Sequence, residues 1–397
     1  MLVVLAVIET HPIQYHAPVY RAVQARGVPV TAIYASDFST RPYRDAEFGA
    51  EVGWESDLLD GYSHRFLSRS TDGREVRPDS ASSRGLAREL RRVGHSATLV
   101  LGYSPAFHRR AWAAAWRSGR PVLFRGETSD LPRSGHRLVT AAKRAALGLA
   151  YRSCARVLYI GTRSRRHFEH AGVAPGRLVF SPYCVDTRPF TLDEAARDRA
   201  RQAGRARLGI APDDIVLAFV GKASARKGVD LIVGAIRKLP DAIRMRVVLV
   251  LAGDGELAAS VSASASRSPA VAIRRLGVLP QSALSEVYHM ADLLLLPSRV
   301  AETWGLVVNE ALHHGLPCVV SDQVGCAPDL IGRETGVVMA GHDDAALADA
   351  VVGGLRLSGR PEIREACRAR VAGFSVDRAA DGIVDAYRAV VPGAVVP

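Results

Sequence analysis

Short apolar runs recur along this chain, separated by amphipathic stretches. Leu2 to Ile8 predicts a buried strand, and the polar loop Glu9-Thr-His-Pro-Ile-Gln-Tyr-His16 follows it. A helix is expected from about Pro18 to Ala25, then a strand at Val28 to Tyr34. Ala97 to Leu101, Pro121 to Phe124 and Arg156 to Ile160 read as further strands, with a helix carrying Trp112 and Trp116 between the first two. Phe38 to Gly85, rich in Asp, Ser, Gly and Arg, reads as a long irregular insertion of the kind that carries specificity. After Phe180-Ser-Pro-Tyr-Cys-Val-Asp186, the charged stretch from Thr191 to Asp214 reads as a linker plus a helix. A second series of strands is predicted at Ile215 to Val220, Val247 to Leu251, Ala272 to Leu276, Asp292 to Leu296, Pro317 to Val320 and Gly336 to Met339. The last helix, Val376 to Val391, has no strand after it. Alternation of β and α with short connections predicts an α/β protein with doubly wound parallel sheets, and two such series in 397 residues predict two domains.

Composition narrows the classes. Hydrophobic residues make up 48% of the chain, as in a globular enzyme, and no run reaches the roughly 18 apolar residues that a membrane-spanning helix needs. The apolar N-terminus lacks a basic leader and a small-residue cleavage site, so it reads as a strand and not as a signal peptide. Five scattered cysteines (Cys154, Cys184, Cys318, Cys326 and Cys367) show no metal-binding spacing and read as reduced thiols of a cytoplasmic protein. The net charge of +12 is concentrated: Leu101 to His170 holds 14 Lys/Arg against 3 Asp/Glu. No nucleic-acid-binding motif accompanies this stripe, which argues against such a partner. On a helical wheel Arg137, Arg144 and Arg152 fall on one side and Leu138, Ala142, Ala145 and Leu149 on another, a basic amphipathic helix. The arrangement fits a solvated face over an apolar core, or a peripheral contact with an anionic membrane.

The densest chemistry lies in Glu302-Thr-Trp-Gly-Leu-Val-Val-Asn-Glu310. Glu302 falls in the loop at the carboxyl end of a strand, the edge where open α/β sheets bind ligands. Glu310 falls one to two turns into the next helix. Carboxylates accept hydrogen bonds from vicinal hydroxyls. The first amides of the helix, at Gly305, Leu306 and Val307, suit a phosphate. Gly221-Lys222 also follows a strand directly, with Lys227-Gly228 five positions on, so two ammonium groups can flank one diphosphate.

Four blocks together resemble the retaining family 4 glycosyltransferases. They are Phe219-Val-Gly-Lys-Ala-Ser-Ala-Arg-Lys-Gly-Val-Asp230, Leu251-Ala-Gly-Asp-Gly-Glu256, the short helix from Leu284 to Asp292, and Pro297 to Asp322 around the paired glutamates. The resemblance implies the GT-B fold: two Rossmann-like domains facing a central cleft, with 1–188 binding the acceptor, 189–372 binding the nucleotide-sugar, and 373–397 a helix packing back on the first. It implies a metal-independent hexosyltransferase that moves a sugar from a nucleoside diphosphate-sugar to a small-molecule or lipid-linked acceptor by front-face displacement. A UDP-sugar is ranked before a GDP-sugar, no cofactor is expected, and the cytoplasm or the inner membrane face is the expected location.

By position, Gly221, Lys222, Lys227, Gly253, Glu302, Gly305, Leu306 and Glu310 would form the donor site. Lys222 and Lys227 would meet the diphosphate, Glu310 the ribose and Glu302 the transferred sugar. Lys222 stands where the family usually has arginine. His313 and His314 stand where it usually has small residues, and read as packing residues. Cys326, where a glycine is common, would tighten the donor pocket. On the acceptor side His11, Gln14 and Tyr15 are candidates. Phe124-Arg-Gly-Glu-Thr128 departs from the family, placing Arg125 and Glu127 where a histidine is usual. Arg125 would then support phosphate charge and Glu127 would orient the nucleophile. No D-x-D occurs, so no metal is expected on the diphosphate. An epimerase or phosphorylase on the same fold, or a catalytically silent partner protein, stays open at this point.

Overall fold

The computed structural model describes residues 3–45, 49–69, 81–131, 137–267, 271–300 and 302–392, without the side chains of residues 50 and 137–142. Leu2, Arg133, and the side chains of Arg137, Leu138 and Ala142 therefore lie outside the described residues. The described chain folds as two units: 1–43, 56–186 and 374–397 form one, and 44–55 with 187–373 form the other. A division in simple chain order, with 1–188 as one domain, misses the segment Arg44–Glu55, which folds with the second unit.

The strands in chain order are β1 (Leu5–Glu9), β2 (Val30–Ser36), β3 (Tyr43–Asp45), β4 (Ala50–Val52), β5 (Ser63–Ser68), β6 (Ala97–Leu101), β7 (Val122–Arg125), β8 (Arg156–Tyr159) and β9 (Leu178–Phe180). The second unit adds β10 (Ile215–Val220), β11 (Val247–Ala252), β12 (Ala272–Gly277), β13 (Leu293–Leu296), β14 (Cys318–Val320) and β15 (Gly336–Val338). The first sheet runs β5-β2-β1-β6-β7-β8-β9 and the second β12-β11-β10-β13-β14-β15. Their ladders are parallel, for example β1 on β2 and β6, and β10 on β11 and β13.

Alternate strand residues divide between two cores in the first unit. Leu5 and Val7 face one layer; Ala6 and Ile8 face the other, with Phe107, Trp112 and Phe124. The helix Val376–Arg388 closes the first layer with Ala379, Ala380, Ile383, Val384 and Tyr387. Gly382 lets it lie close, since a Cβ there would come 2.0 Å from the Phe180 carbonyl oxygen. In the second unit Leu217, Phe219, Leu249, Leu251, Leu293 and Leu295 pack under the helices Val229–Lys238 and Asp344–Leu355.

Two expectations are corrected. Phe38 to Gly85 is not wholly irregular: β5 is a parallel edge strand beside β2, and β3 and β4 form a two-stranded sheet. β5 reads Ser-His-Arg-Phe-Leu-Ser, too polar for an apolar run because an edge strand is half solvated. The helix Arg137–Ser153 does not pack through Ala145 and Leu149, which are exposed, Leu149 by 64%. Its buried positions among the described side chains are Gly148 and Tyr151. A Cβ on Gly148 would come 2.8 Å from the Ala171 carbonyl oxygen, so the seam turns toward the glycine.

In each sheet one central strand has neighbours reached in opposite directions. β1 lies between β2 and β6, and β10 between β11 and β13. At such a switch point the loops diverge and leave a crevice at the carboxyl ends. The loops after β1 and β6, and those after β10 and β13, are therefore where chemistry is sought.

Candidate active site

The second unit brings its predicted residues to the β10/β13 switch point. Gly221 and Lys222 leave β10, and a single 3-10 turn, Ala225–Lys227, ends at Gly228 in the left-handed region (φ 69°). A side chain at Gly228 would strike the Pro297 carbonyl oxygen, which a Cβ would approach to 2.1 Å. The two loops are thus locked together by a residue only glycine can be. Glu302 is held by its backbone: its N–H donates to the Gln323 carbonyl at 2.8 Å and its carbonyl accepts from Gly325 at 2.9 Å. The helix Leu306–His313 starts after Gly305, itself left-handed (φ 98°), so its first amides point out at the strand end. Buried Trp304 braces this turn by donating from Nε1 to Asn309 Oδ1 at 2.8 Å.

Lys227 Nζ lies 2.7 Å from Glu302 Oε2, and Arg226 Nη1 lies 3.0 Å from the same oxygen. Burial opposes ionisation of Glu302, but these two cations outweigh it and hold the carboxyl below its ordinary range. Lys222 reaches both oxygens of Asp45, at 3.0 and 3.1 Å, a carboxylate carried by the segment 44–55. The far end of that segment is tied down as well: Glu55 accepts from Ser282 N at 2.9 Å and from Ser282 Oγ at 2.8 Å. Both lysines proposed for an anion thus face internal carboxylates. Arg226 and Asp45 escaped the sequence reading. Arg226 adjoins a candidate, but Asp45 lies 177 positions from its partner and nothing local marks it.

Glu310 is buried (3% exposed) and accepts a 2.5 Å hydrogen bond from the Tyr288 hydroxyl. Burial pushes its carboxyl up to about 7, against the pull of that hydroxyl. His314 packs behind it, with Nδ1 2.7 Å from the Glu310 carbonyl and Nε2 2.9 Å from Ser285 Oγ. Burial lowers both His313, to about 4, and His314, to about 3, as packing residues require. Gly253 serves the backbone: a Cβ there would come 2.0 Å from the Gly221 carbonyl oxygen. Cys326 is buried, its Sγ 3.7 Å from where a Gly305 Cβ would sit.

The first unit assembles a second cluster at the ends of β1 and β7. His16, buried ahead of the helix Ala17–Ala25, places Nδ1 2.5 Å from Glu9 Oε1 and Nε2 2.9 Å from Glu127 Oε1. Burial disfavours the charged ring, but two carboxylates raise it to about 9. Glu127 is lowered: desolvation opposes this, and His16, Arg125 and the Tyr183 hydroxyl prevail. Sequence reasoning named Glu127 but passed over Glu9 and His16. The clue was the two polar residues at either end of one strand-exit loop.

The other acceptor-side candidates are placed differently. Arg125 is 3% exposed, and its Nη2 donates to the Pro182 carbonyl at 2.9 Å, with its guanidinium 5.7 Å from the Tyr183 ring centroid. In this form it clamps the chain after β9 and turns no charge outward. His11 bonds Thr10 Oγ1 at 2.9 Å and meets Phe38 edge-on; burial lowers it to about 4. Tyr15 stands edge-on to Tyr183 at 6.3 Å, and Gln14 is half-buried on the same loop.

Residues 200–370 match the family described as glycosyl transferases group 1. The D-inositol 3-phosphate glycosyltransferase of Nocardia farcinica (strain IFM 10152) is 34% identical over 205 residues, 48% of this chain and 44% of that protein. The chain thus matches under half the length of that curated relative. WaaG, a glycosyltransferase involved in lipopolysaccharide biosynthesis, shares the fold over 98% of this chain and 100% of its own, with TM-score 0.63 and 17% identity. Anabaena Alr3699/HepE, solved in complex with UDP, aligns over 98% of this chain and 100% of its own, with TM-score 0.72 and 15% identity. The fold is GT-B, as the sequence implied.

Proposed function

We propose, for a chain whose residues 200–370 belong to the glycosyl transferases group 1, that the protein is a retaining glycosyltransferase using a nucleoside diphosphate-sugar. The observation that carries this is the arrangement of Glu302, Lys227 and Glu310 around the start of one helix at the β10/β13 switch point. In this reading the donor diphosphate takes Lys222, Lys227 and the helix amides, with Arg226 adding charge. Ribose hydroxyls take Glu310, and the transferred sugar takes Glu302. No metal is needed, because fixed cations meet the leaving group. UDP is the first candidate nucleotide and GDP the next; Anabaena Alr3699/HepE, of the same fold, binds UDP-glucose. The first unit holds the acceptor, whose nucleophile displaces the sugar on the face the diphosphate leaves.

The test is thermal stabilisation by UDP, GDP, ADP and dTDP, followed by turnover of the matching nucleotide-sugar in excess EDTA. A ligand at 100 times its dissociation constant adds about 2.7 kcal/mol of stability, which is readily seen. Stabilisation by one nucleotide and chelator-insensitive turnover support the reading. Failure of all four to bind overturns the donor assignment, and activity lost in EDTA and restored by Mg²⁺ overturns the metal-free site.

A further inference from the structure

The Glu9–His16–Glu127 cluster is unlike an ordinary surface ion pair. Both ring nitrogens of His16 sit at hydrogen-bond distance from a carboxylate oxygen, 2.5 and 2.9 Å. With both carboxyls ionised their oxygens only accept, so both nitrogens donate and the ring is an imidazolium. Two of the three groups are hidden: the His16 side chain is 7% exposed and that of Glu9 3%. Glu127 is 36% exposed, so it is the one member that presents atoms outward. Its Oε1 is held by the ring.

Polar groups gather around it. Tyr183 contacts Glu127 through its hydroxyl, and Arg125 lies beneath Tyr183. His11 feels Glu9 and His108 feels both carboxylates, but burial lowers each ring, and buried Tyr20 adds no charge. Thr128 Oγ1 and His108 Nε2 are buried with no hydrogen-bond partner. The outward-facing group of this cluster is thus a fixed acceptor of hydrogen bonds, backed by a buried cation.

We propose that Glu127 anchors the sugar acceptor by receiving hydrogen bonds from its hydroxyl or ammonium groups, with His16 and Glu9 as positioning residues that keep the carboxylate ionised and aimed. The acceptor is then a polyol or an amino-polyol at this subsite, not an anion. A phosphate there brings no proton to donate and meets a like charge. Glu127 orients the nucleophile; its imidazolium partner makes it a poor base, so the acceptor proton passes to the diphosphate oxygen that departs on the same face. The inference rests on the transferase reading but concerns the first unit alone.

The test follows the His16 ring by NMR on histidine-labelled full-length protein. Free ring resonances at pH 7.5 are expected to show a doubly protonated imidazole, and a neutral ring overturns the proposal. Titration with D-glucosamine and with myo-inositol should shift the Nε2 signal, with glucosamine stronger if the ammonium is read and the two equal if only hydroxyls are. Methyl phosphate, a hydroxyl-free dianion at pH 7.5 because its second pKa is about 6, should leave it unmoved. A response to the phosphate alone, or to none of the three, overturns the assignment. Glu127→Gln should weaken the response at least tenfold. Glu127→Asp should restore part of it, which a packing role would not predict. Glu9→Gln should lower the pH at which the ring loses its second proton. Nucleotide binding is measured on the same samples, so loss of donor binding tells against the transferase reading and not against this subsite.

Discussion

Glu310 shows how one side chain can be both buried and useful. With its carboxyl pushed up to about 7 by burial, it is part-protonated at neutral pH in the donor-free protein. Only the ionised form offers all its lone pairs to ribose hydroxyls, so nucleotide-sugar affinity should rise as pH climbs through 7. A nucleotide-sugar is the proper probe because its diphosphate diester does not titrate in that window. Glu310→Gln should flatten the dependence and weaken binding by about 1.5–3 kcal/mol at pH 8, the usual worth of a charged hydrogen-bond partner. Calorimetry showing pH-independent affinity in the native protein would sink the ribose assignment. His16 gives the opposite sign. Its folded pKa of about 9 lies above the ordinary 6.5, so its contribution to stability is full below pH 6.5 and is lost as pH rises through 9. On the order of 3 kcal/mol is at stake. The melting temperature of His16→Gln should therefore fall furthest below the native value at pH 6 and converge on it near pH 10. A gap that widens with pH would show that the ring is held neutral.

The segment 44–55 is the element that the chain order conceals. It is carried in the N-terminal half of the sequence, yet folds with the second unit, and Asp45 covers the ammonium of Lys222. An incoming diphosphate must displace that carboxylate or share the lysine with it. Asp45→Asn should therefore tighten nucleoside diphosphate binding several-fold, and it should speed tryptic cleavage at exposed Arg44 by loosening one anchor. Weaker binding in Asp45→Asn would mean that Asp45 aims the lysine and does not compete for it. This segment also marks where sequence reading ran out. Apolar runs located β6 and β10 to the residue and β11, β13 and β14 to within one residue, because strands buried on both faces leave a local signature. The E-x7-E spacing located both glutamates because loop and helix geometry follow from neighbours in the chain. β5 was missed because its pattern is that of a half-solvated edge. The pairings Asp45–Lys222 and His16–Glu127 were missed because contacts across 177 and 111 positions bring them together.

On the scale of the whole molecule the charge of +12 is a surface property with a place. Arg109, Arg110, Arg117, Arg120, Lys143, Arg144, Arg152, Arg165 and Arg166 are all exposed. Trp116 (65% exposed) and Leu149 (64%) stand out among them, on the helices Ala106–Arg117 and Arg137–Ser153. Those helices are neighbours: Trp112 of one meets Tyr151 of the other at 6.0 Å between ring centroids. No described helix is long and apolar enough to cross a membrane. An exposed tryptophan and leucine among arginines instead suit a headgroup layer, where each basic residue near an anionic surface contributes about 1 kcal/mol. Binding to vesicles containing phosphatidylglycerol should then be reversible and should fall steeply between low and physiological salt, because charges on the surface are screened beyond about 8 Å. Trp116→Ala should weaken it at every salt concentration, whereas Arg109→Ala/Arg110→Ala should mainly reduce the salt dependence. Sedimentation with neutral and anionic vesicles decides the matter. If the protein ignores anionic vesicles at low salt, the stripe serves solubility, and an acceptor dissolved in water replaces a lipid-linked one as the substrate to seek.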